Sequence, residues 1–123
     1  TSVGGSAVHD SIADILLGLL KAASRDGIRL GGGSYRSSQS QINLRRAHCG
    51  TSNWAIYKKP SYQCRPPTAR PGASMHERGL AVDFTQNALW SNTSGYRWLK
   101  RNASKYGFRN LPSEPWHWST NGR

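Results

Sequence analysis

Two segments of the chain place apolar residues at the three- and four-residue spacing of a helix that packs against a core. The first begins at Asp10 or Ser11, either of which suits a helix cap, and ends at Gly27. The second begins at Ser94 and ends at Gly107. We therefore predict two amphipathic helices. Their apolar stripes are Ile12, Ile15, Leu16, Leu19, Leu20 and Ala23 in the first, and Tyr96, Leu99, Ala103 and Tyr106 in the second.

The rest of the pattern predicts three short strands, a third helix and a long loop. The strands are expected at Ile28–Leu30, at residues 79–85, where Leu80, Val82 and Phe84 alternate with other residues, and at Trp116–Ser119. The third helix is expected at residues 37–48, with Ile42, Leu44 and Ala47 as its apolar positions. The loop is expected at residues 50–72. A loop of this length inside a small domain is usually functional or cross-linked. This order of elements predicts an α+β fold, with a small central antiparallel sheet and helices packed on one side of it.

The length of 123 residues fits one modest core, so residues 1–123 are expected to form a single domain. Residues 1–9 contain glycine and serine and suit the end of a linker. The chain has no apolar run of about 18 residues, so no membrane-spanning segment is expected. Its polar first residues also lack the features of a signal peptide. If the protein is secreted, this chain is expected to be a mature form or an excised domain.

Basic residues strongly outnumber acidic ones. Seventeen Lys and Arg against six Asp and Glu give a net charge of +11. Such a charge favours a polyanionic partner (nucleic acid, an anionic membrane or an anionic cell-wall polymer), although it can also serve solubility alone. No predicted helix has a dense basic stripe interleaved with aromatic residues, and no nucleic-acid-binding motif occurs. A specific nucleic-acid partner is therefore not expected.

The two cysteines, Cys49 and Cys64, enclose a short segment of the predicted loop. We interpret them as a disulfide, which indicates an oxidising compartment and would stabilise the fold by about 3 kcal/mol. Two free thiols, or a zinc site that includes His48, remain alternatives at this point. The zinc site is disfavoured because the chain has no pair of cysteines spaced as CxxC.

The candidate chemistry lies in two short stretches, SMHERGLAVDF and SEPWHW, which hold every acid and histidine of the second half of the chain. His76 precedes a predicted turn at Gly79, and Asp83 lies on the strand that follows, so a bend can bring the two side chains together. Histidine nitrogen and aspartate oxygen are ordinary zinc ligands, and His117 can supply the third donor of an open catalytic site. Glu114 would then be the base that takes a proton from the attacking water.

The same residues also fit a structural interpretation, in which Asp83 only holds an imidazole in place. The stretch HER is not the start of an HExxH zinc helix, because Leu80 occupies the second histidine position and Gly79 weakens a helix. Glu77 is therefore expected to be solvated or paired with Arg78 rather than to act as the base.

Three motifs in order resemble a known family. Residues 74–83 fit S-x-H-x-x-G-x-A-x-D, residues 114–117 fit E-x-W-H, and residues 33–37, GSYRS, are followed by Gln41. Together they resemble the D-alanyl-D-alanine carboxypeptidases of the vancomycin-resistance type, within the zinc peptidases that also include lysostaphin-like enzymes and hedgehog domains. Each motif alone is only moderately specific, but the three in order, over residues 28–118, are a strong signal.

The resemblance implies one zinc ion in a surface cleft, held by His76, Asp83 and His117, with Glu114 as the general base. It also implies that Arg36 stabilises the oxyanion that forms when water attacks the peptide carbonyl.

Substrate-binding roles are implied for Ser74, Gln41, Tyr35 and Trp116. A structural role explains each of them as well: Ser74 as a turn cap, Gln41 as an exposed helix residue, and the two aromatic residues as part of the core. The segment between the cysteines is not part of the family motif, and it is a candidate for determining which stem peptide is accepted.

The implied function is zinc-dependent hydrolysis of the stem peptide of bacterial peptidoglycan, with a D,D-carboxypeptidase that releases terminal D-Ala as the first choice. L,D-carboxypeptidase and endopeptidase activities remain alternatives, because related sequences cut L-Lys-D-Ala, L-Ala-D-Glu or cross-bridge bonds with the same zinc and base residues. A zinc-containing module that binds the cell wall without catalysis is the alternative of another class, which the presence of Glu114 and Arg36 disfavours. The expected partners are stem peptides and anionic wall polymers. We expect a monomer outside the bacterial cytoplasm, secreted or attached to the wall.

Overall fold

Six strands and five helices make up the fold in a computed structural model that describes all residues, 1–123. The strands are β1 (Ser2–Val3), β2 (Ser6–Ala7), β3 (Gly31–Gly33), β4 (Ala81–Phe84), β5 (Arg109–Leu111) and β6 (Glu114–Ser119). The helices are α1 (Asp10–Arg25), α2 (Ser38–Cys49), α3 (Asn53–Tyr57), the short irregular α4 (Thr85–Ala88) and α5 (Ser94–Asn102), with 3-10 turns at Ser61–Gln63 and Ala103–Tyr106.

All strand pairs are antiparallel. β1 and β2 form a two-stranded ribbon, and the other four strands form one sheet in the order β3–β4–β6–β5. The predicted α+β class with an antiparallel sheet is therefore confirmed. No helix is both long enough and apolar enough to span a membrane.

The chain forms two compact units. The first, which we call the sheet unit, consists of Thr1–Tyr35 and Gly79–Arg123, and the second, which we call the disulfide unit, consists of Arg36–Arg78. The sheet unit contains all six strands with α1, α4 and α5, and the disulfide unit contains α2 and α3.

The core of the sheet unit is built from α1, β4, α5 and the end of β6. Side chains below 5% exposure from all four elements meet there. These core residues include Ile12, Leu16, Leu19, Ala23, Val82, Phe84, Trp98, Leu99 and Trp118. Burial of apolar area on this scale is the main driving force for folding.

Helix α1 follows its predicted stripe except at Ile15, which is 37% exposed. Its cap also differs from the prediction, because the residue at the cap is His9, whose Nδ1 accepts the backbone N–H of Ser11 at 3.0 Å. The helix ends before Gly27, as predicted, with the N–H of Ile28 donating to the carbonyl of Ala23 at 2.8 Å.

Residues 1–9, whose composition suits a linker, contain the β1–β2 ribbon. Val3 and Val8 are both buried against the core, at 8% and 5% exposure. The hydroxyl of Ser6 donates to the carbonyl of Gly32 at 3.0 Å, so the ribbon is held beside β3.

The first strand of the four-stranded sheet lies later than predicted. The segment Ile28–Leu30 is not a strand, and β3 lies instead in the glycine stretch that follows it. The reason is a close backbone approach, since a Cβ on Gly32 would lie 1.7 Å from the carbonyl oxygen of Asp83. Only glycine lets β3 lie this close to β4.

The disulfide unit has a buried face that the apolar pattern did not predict. In α2 the buried residues are Gln41, Arg45 and Cys49, at four-residue spacing, and the predicted apolar positions Ile42, Leu44 and Ala47 are half-buried or exposed. The predicted loop at residues 50–72 contains α3 and a 3-10 turn. Cys49 and Cys64 form a disulfide with their Cα atoms 4.4 Å apart, so free thiols and a zinc site with His48 are excluded.

Arg45 is fully buried and is the hub of the disulfide unit. Its guanidinium donates to backbone carbonyls on both sides of the disulfide and to one disulfide sulfur, and no carboxylate contacts it. The acceptors are the carbonyls of Ile56, Ala55, Lys59 and Thr68, at 2.6–2.8 Å, and Cys64 Sγ at 3.3 Å. Burial lowers the pKa of Arg45, and the nearby charge of Arg70 lowers it further. One side chain thus satisfies backbone groups that would otherwise be buried without partners.

Replacement of Arg45 by methionine should destabilise the protein by about 3 kcal/mol or more, because four carbonyls, three of them in buried hydrogen bonds, lose their donor. The matched control is Arg46→Met, which changes an exposed neighbour on the same helix and should cost less than about 0.5 kcal/mol. Equilibrium urea unfolding measures both values, and amide hydrogen exchange should locate the loss in residues 36–78. Equal free energies of unfolding for the two variants would contradict this role of Arg45.

Candidate metal centre

The register of β4 against β6 brings two of the predicted metal ligands together. Asp83 and His117 lie directly opposite each other in the ladder. Their side chains meet on one face, with His117 Nδ1 3.0 Å from Asp83 Oδ1. The flanking residues Val82 and Phe84 are each 1% exposed, so β4 is anchored in the core on both sides of Asp83. The predicted strand positions of both ligands are thereby confirmed.

His76, the third predicted ligand, lies in a tight turn and is 3% exposed. Its backbone N–H donates to Ser74 Oγ at 3.2 Å, and its carbonyl accepts the N–H of Arg36 at 3.0 Å. The predicted turn at Gly79 follows. Gly79 has a φ of +68°, and a Cβ there would lie 2.7 Å from the backbone nitrogen of His9, so both conformation and space require glycine.

The three predicted ligands converge. His76, Asp83 and His117 each offer one ligand atom, and these atoms all lie within 4.8 Å of one another. Two imidazole nitrogens and one carboxylate oxygen are a donor set that suits zinc, and three protein ligands leave a position for water or substrate. The chemistry of this donor set therefore fits a catalytic metal ion.

The ring of His117 is held in a defined orientation by a second hydrogen bond. Its Nε2 lies 2.6 Å from the carbonyl oxygen of Arg123, and because a carbonyl only accepts, Nε2 carries a hydrogen. Nδ1 is then the nitrogen that faces Asp83. Hydrogen bonds of this kind commonly orient histidine ligands of metals.

Several groups act on the ionisation of His117. Burial lowers its pKa, but the hydrogen bonds to Asp83 and Arg123 and the negative charges of Asp83 and Glu114 outweigh burial, so the pKa is raised above its ordinary value. A proton is therefore favoured at the Nδ1 that faces Asp83. A metal ion at the same ligands must displace it, so proton and metal compete.

Asn110 on β5 holds the first half of β6, which carries Glu114 and His117. Its side-chain amide donates to the carbonyls of Glu114 and His117, both at 3.0 Å, and to that of Pro115 at 3.4 Å. It lies where the β5–β6 register shifts, so one amide replaces the ladder hydrogen bonds that the irregularity removes. Sequence analysis missed this residue. The apolar pattern predicted no strand at residues 109–111, so nothing in the sequence pointed to this asparagine.

Arg36 is held by Gln41. Arg36 Nη1 donates to Gln41 Oε1 at 2.9 Å, and Gln41 Nε2 donates to the carbonyl of Ala69 at 2.8 Å. Gln41 is 1% exposed, so the alternative that it is an exposed helix residue is wrong. Its amide fixes the direction of the Arg36 guanidinium.

The other predicted site residues have different surroundings. The hydroxyl of Ser74 accepts the N–H of His76, so Ser74 does cap a turn. Tyr35 is 58% exposed and Trp116 is half-buried, so neither is a core residue. Glu77 is half-buried at the surface and is not paired with Arg78. Its carboxylate accepts the N–H of Gly72, at 3.0 Å to each oxygen, and the hydroxyl of Ser38 at 3.1 Å.

Replacement of Asn110 by leucine should lower the free energy of unfolding by about 1–3 kcal/mol, since leucine has similar size but leaves three carbonyls without their donor. The amide NMR signals of residues 114–117 should shift more than those elsewhere in the sheet unit. Asn43→Leu, at an exposed position on α2, is the control and should leave these signals unchanged. Unshifted signals in the Asn110 variant would show that another contact holds residues 114–117 in place.

Comparison with known proteins agrees with this geometry. A D-alanyl-D-alanine carboxypeptidase of Enterococcus faecalis is 29% identical over 129 residues, which cover 93% of this chain and 48% of that protein. The chain thus spans about half the length of this relative.

Three solved structures are also similar to this chain. A mutant of the vancomycin resistance D,D-pentapeptidase VanY, in complex with Zn(II), has a TM-score of 0.70 and 26% identity over 96% of this chain and 75% of its own. VanYB in complex with D-Alanine-D-Alanine has a TM-score of 0.68 and 25% identity over 96% and 74%. The LdcB LD-carboxypeptidase has a TM-score of 0.64 and 27% identity over 91% and 58%.

The family model described as VanY, D-alanyl-D-alanine carboxypeptidase, matches residues 5–123. The match includes all three motifs that suggested this family and all three converging ligands. This chain therefore belongs to the VanY family of D-alanyl-D-alanine carboxypeptidases.

Proposed function

We propose that this chain is a zinc-dependent D,D-carboxypeptidase that releases terminal D-Ala from the stem peptide of peptidoglycan. The observation that carries the proposal is the convergence of His76, Asp83 and His117 within 4.8 Å in a chain of the VanY family. Similarity to structures that contain Zn(II) and D-Alanine-D-Alanine supports the metal and the substrate class.

Zinc would be held by one nitrogen from each of His76 and His117 and by a carboxylate oxygen of Asp83. When bound, it supplies a Lewis acid that lowers the pKa of water and polarises a carbonyl. The hydrogen bond from His117 Nε2 to the Arg123 carbonyl directs Nδ1 toward the ligand cluster.

Glu114 is the general base of this proposal. It lies three residues before His117 on β6, its backbone is held by Asn110, and its charge is close enough to raise the pKa of His117. A carboxylate here can take a proton from the attacking water and pass it to the departing amine of D-Ala.

Arg36 would stabilise the negative charge that develops on the carbonyl oxygen of the scissile bond. A guanidinium suits this role because it is always protonated and, here, oriented in advance by Gln41. Ser74, Gln41, Tyr35 and Trp116 are proposed to contact the terminal residue of the substrate. A surface cleft that admits the peptide remains a prediction.

The setting of this activity is proposed to be outside the cytoplasm, at the bacterial cell wall. The disulfide suits an oxidising compartment, and the charge of +11 suits retention on anionic wall polymers. The similarity to LdcB keeps L,D-carboxypeptidase activity as the second candidate.

The direct test is to incubate the zinc-loaded protein with a defined pentapeptide ending in D-Ala-D-Ala and with the tetrapeptide ending in L-Lys-D-Ala, and to detect free D-Ala by mass spectrometry. Release from the pentapeptide alone is expected. Release from the tetrapeptide alone would establish the L,D activity, and two intact peptides would contradict both.

Glu114→Gln should reduce the turnover number by about a hundred- to ten-thousandfold, because the amide cannot accept the proton, and should leave zinc content at one ion per chain. Glu77→Gln is the matched control, since Glu77 is bound within its own turn and should retain turnover. Turnover in Glu114→Gln equal to that of the control would refute the assigned base.

Zinc should stabilise the protein against thermal unfolding, by about 2.7 kcal/mol when free zinc is one hundred times its dissociation constant. Asp83→Ala should abolish the shift because the ligand set is broken. His48→Ala should keep it, because His48 is bound to Thr68 Oγ1 and is not part of the cluster. A zinc-induced shift that survives Asp83→Ala would place the metal elsewhere.

A further inference from the structure

Most of the net positive charge of the protein lies in the disulfide unit. Residues 36–78 contain eight Lys and Arg and a single acid, Glu77, for a net charge of +7 out of +11. The carboxylate of Glu77 is bound by Gly72 and Ser38, so it pairs with none of these basic side chains. This unit therefore favours a ligand that carries negative charge.

The same unit contains a concavity of about 460 Å³. Its lining residues come from the end of the disulfide-enclosed segment and from the chain that follows it, and they are Pro60, Ser61, Tyr62, Ala69, Arg70 and Ala73. Tyr62 is 76% exposed, which is unusual for a large aromatic residue in a segment anchored at Cys64 and by the buried Arg45. An exposed aromatic ring beside a cation is a common feature of binding surfaces.

Arg70 is the charged residue of this concavity, and its guanidinium is oriented in advance. Nε and Nη2 both donate to the carbonyl of Lys58, at 3.2 and 2.7 Å, and no carboxylate pairs with the side chain. Nη1 makes no hydrogen bond within the protein, so it can donate to a ligand. Arg70 also repels the buried Arg45, and this adds to burial in lowering the pKa of Arg45. An anion beside Arg70 would relieve that repulsion.

The concavity adjoins the side chains that we propose contact the terminal residue of the substrate. Ala73 directly precedes Ser74, and the carbonyl of Ala69 accepts the amide of Gln41 at 2.8 Å. The segment that lines the concavity is therefore continuous with the residues that we propose bind the end of the substrate.

We propose that this concavity is a subsite for the part of the stem peptide that precedes the scissile bond, and that Arg70 binds a carboxylate of that part. The inference rests on the proposed function and deepens it by naming a determinant of substrate choice. Guanidinium and carboxylate form the strongest hydrogen bonds among side chains, and the ring of Tyr62 covers the aliphatic part of the same residues. The carboxylate can come from D-Glu at the second position or from a diaminopimelate at the third.

The test measures affinity, so that it does not depend on turnover. Three pentapeptides ending in D-Ala-D-Ala are titrated into zinc-loaded Glu114→Gln protein by calorimetry: one with D-Glu and L-Lys, one with D-isoglutamine and L-Lys, and one with D-isoglutamine and diaminopimelate. At least one peptide with a free carboxylate should bind about tenfold more tightly than the peptide with D-isoglutamine and L-Lys. The tighter of the two acidic peptides identifies the source of the carboxylate.

Arg70→Gln in the same background should reduce this difference to less than about twofold, and Arg70→Lys, which keeps the charge but not the planar fork, should retain part of it. The matched control Arg46→Gln removes one exposed charge from the same unit and should keep the full difference. Circular dichroism melting shows whether each variant is folded.

Equal affinities for the three peptides, no binding of any peptide, or a difference that Arg70→Gln leaves intact would overturn the subsite. D-Ala release by the unsubstituted protein reports separately on the proposed function. Release with equal affinities would leave the function standing and remove the subsite. If Arg70 discriminates between the peptides but no D-Ala is released, the subsite is supported and the proposed activity is refuted. That result would indicate a binding module.

Discussion

The pairing of Asp83 with His117 across β4 and β6 is the constraint on which the site depends. Successive side chains of a strand point to opposite faces, so a shift of the register by one residue would separate the carboxylate from the imidazole. The core prevents such a shift, because Val82 and Phe84 are buried on either side of Asp83 and Trp118 is buried next to His117. The apolar residues of the sheet unit thus determine the position of its polar ones.

A different principle stabilises residues 36–78, where polar contacts do much of what an apolar core does elsewhere. Arg45 is buried without a carboxylate, and its positive charge is balanced by the partial negative charges of carbonyl oxygens. Burying a charge is costly unless its hydrogen bonds are satisfied, so this arrangement tolerates little change in its neighbours. The disulfide and Arg45 share Cys64, which makes them one connected unit.

The contrast between an apolar sheet unit and a polar disulfide unit explains which parts of the structure the sequence predicted. Helices α1 and α5, strands β4 and β6, and the disulfide were predicted because apolar periodicity and cysteine count report on them directly. The buried face of α2 was not predicted, because a stripe of Gln41, Arg45 and Cys49 has no apolar pattern, and its partners lie up to 28 residues away in the chain. The convergence of His76, Asp83 and His117 was predicted from rare residue types in a family motif, whereas Asn110 acts through its amide on carbonyls and leaves no motif.

The glycine stretch of β3 restricts which substitutions a chain with this fold can accept. By composition, Gly31–Gly33 resembles a stretch that would accept almost any small or polar residue. Yet every side chain at position 32 would collide with the backbone of Asp83, and a displaced β4 would carry that carboxylate away from His117. A glycine at position 32 has no side chain and therefore no chemistry of its own. Even so, a survey of tolerated replacements should find position 32 as restricted as His76, Asp83 and His117.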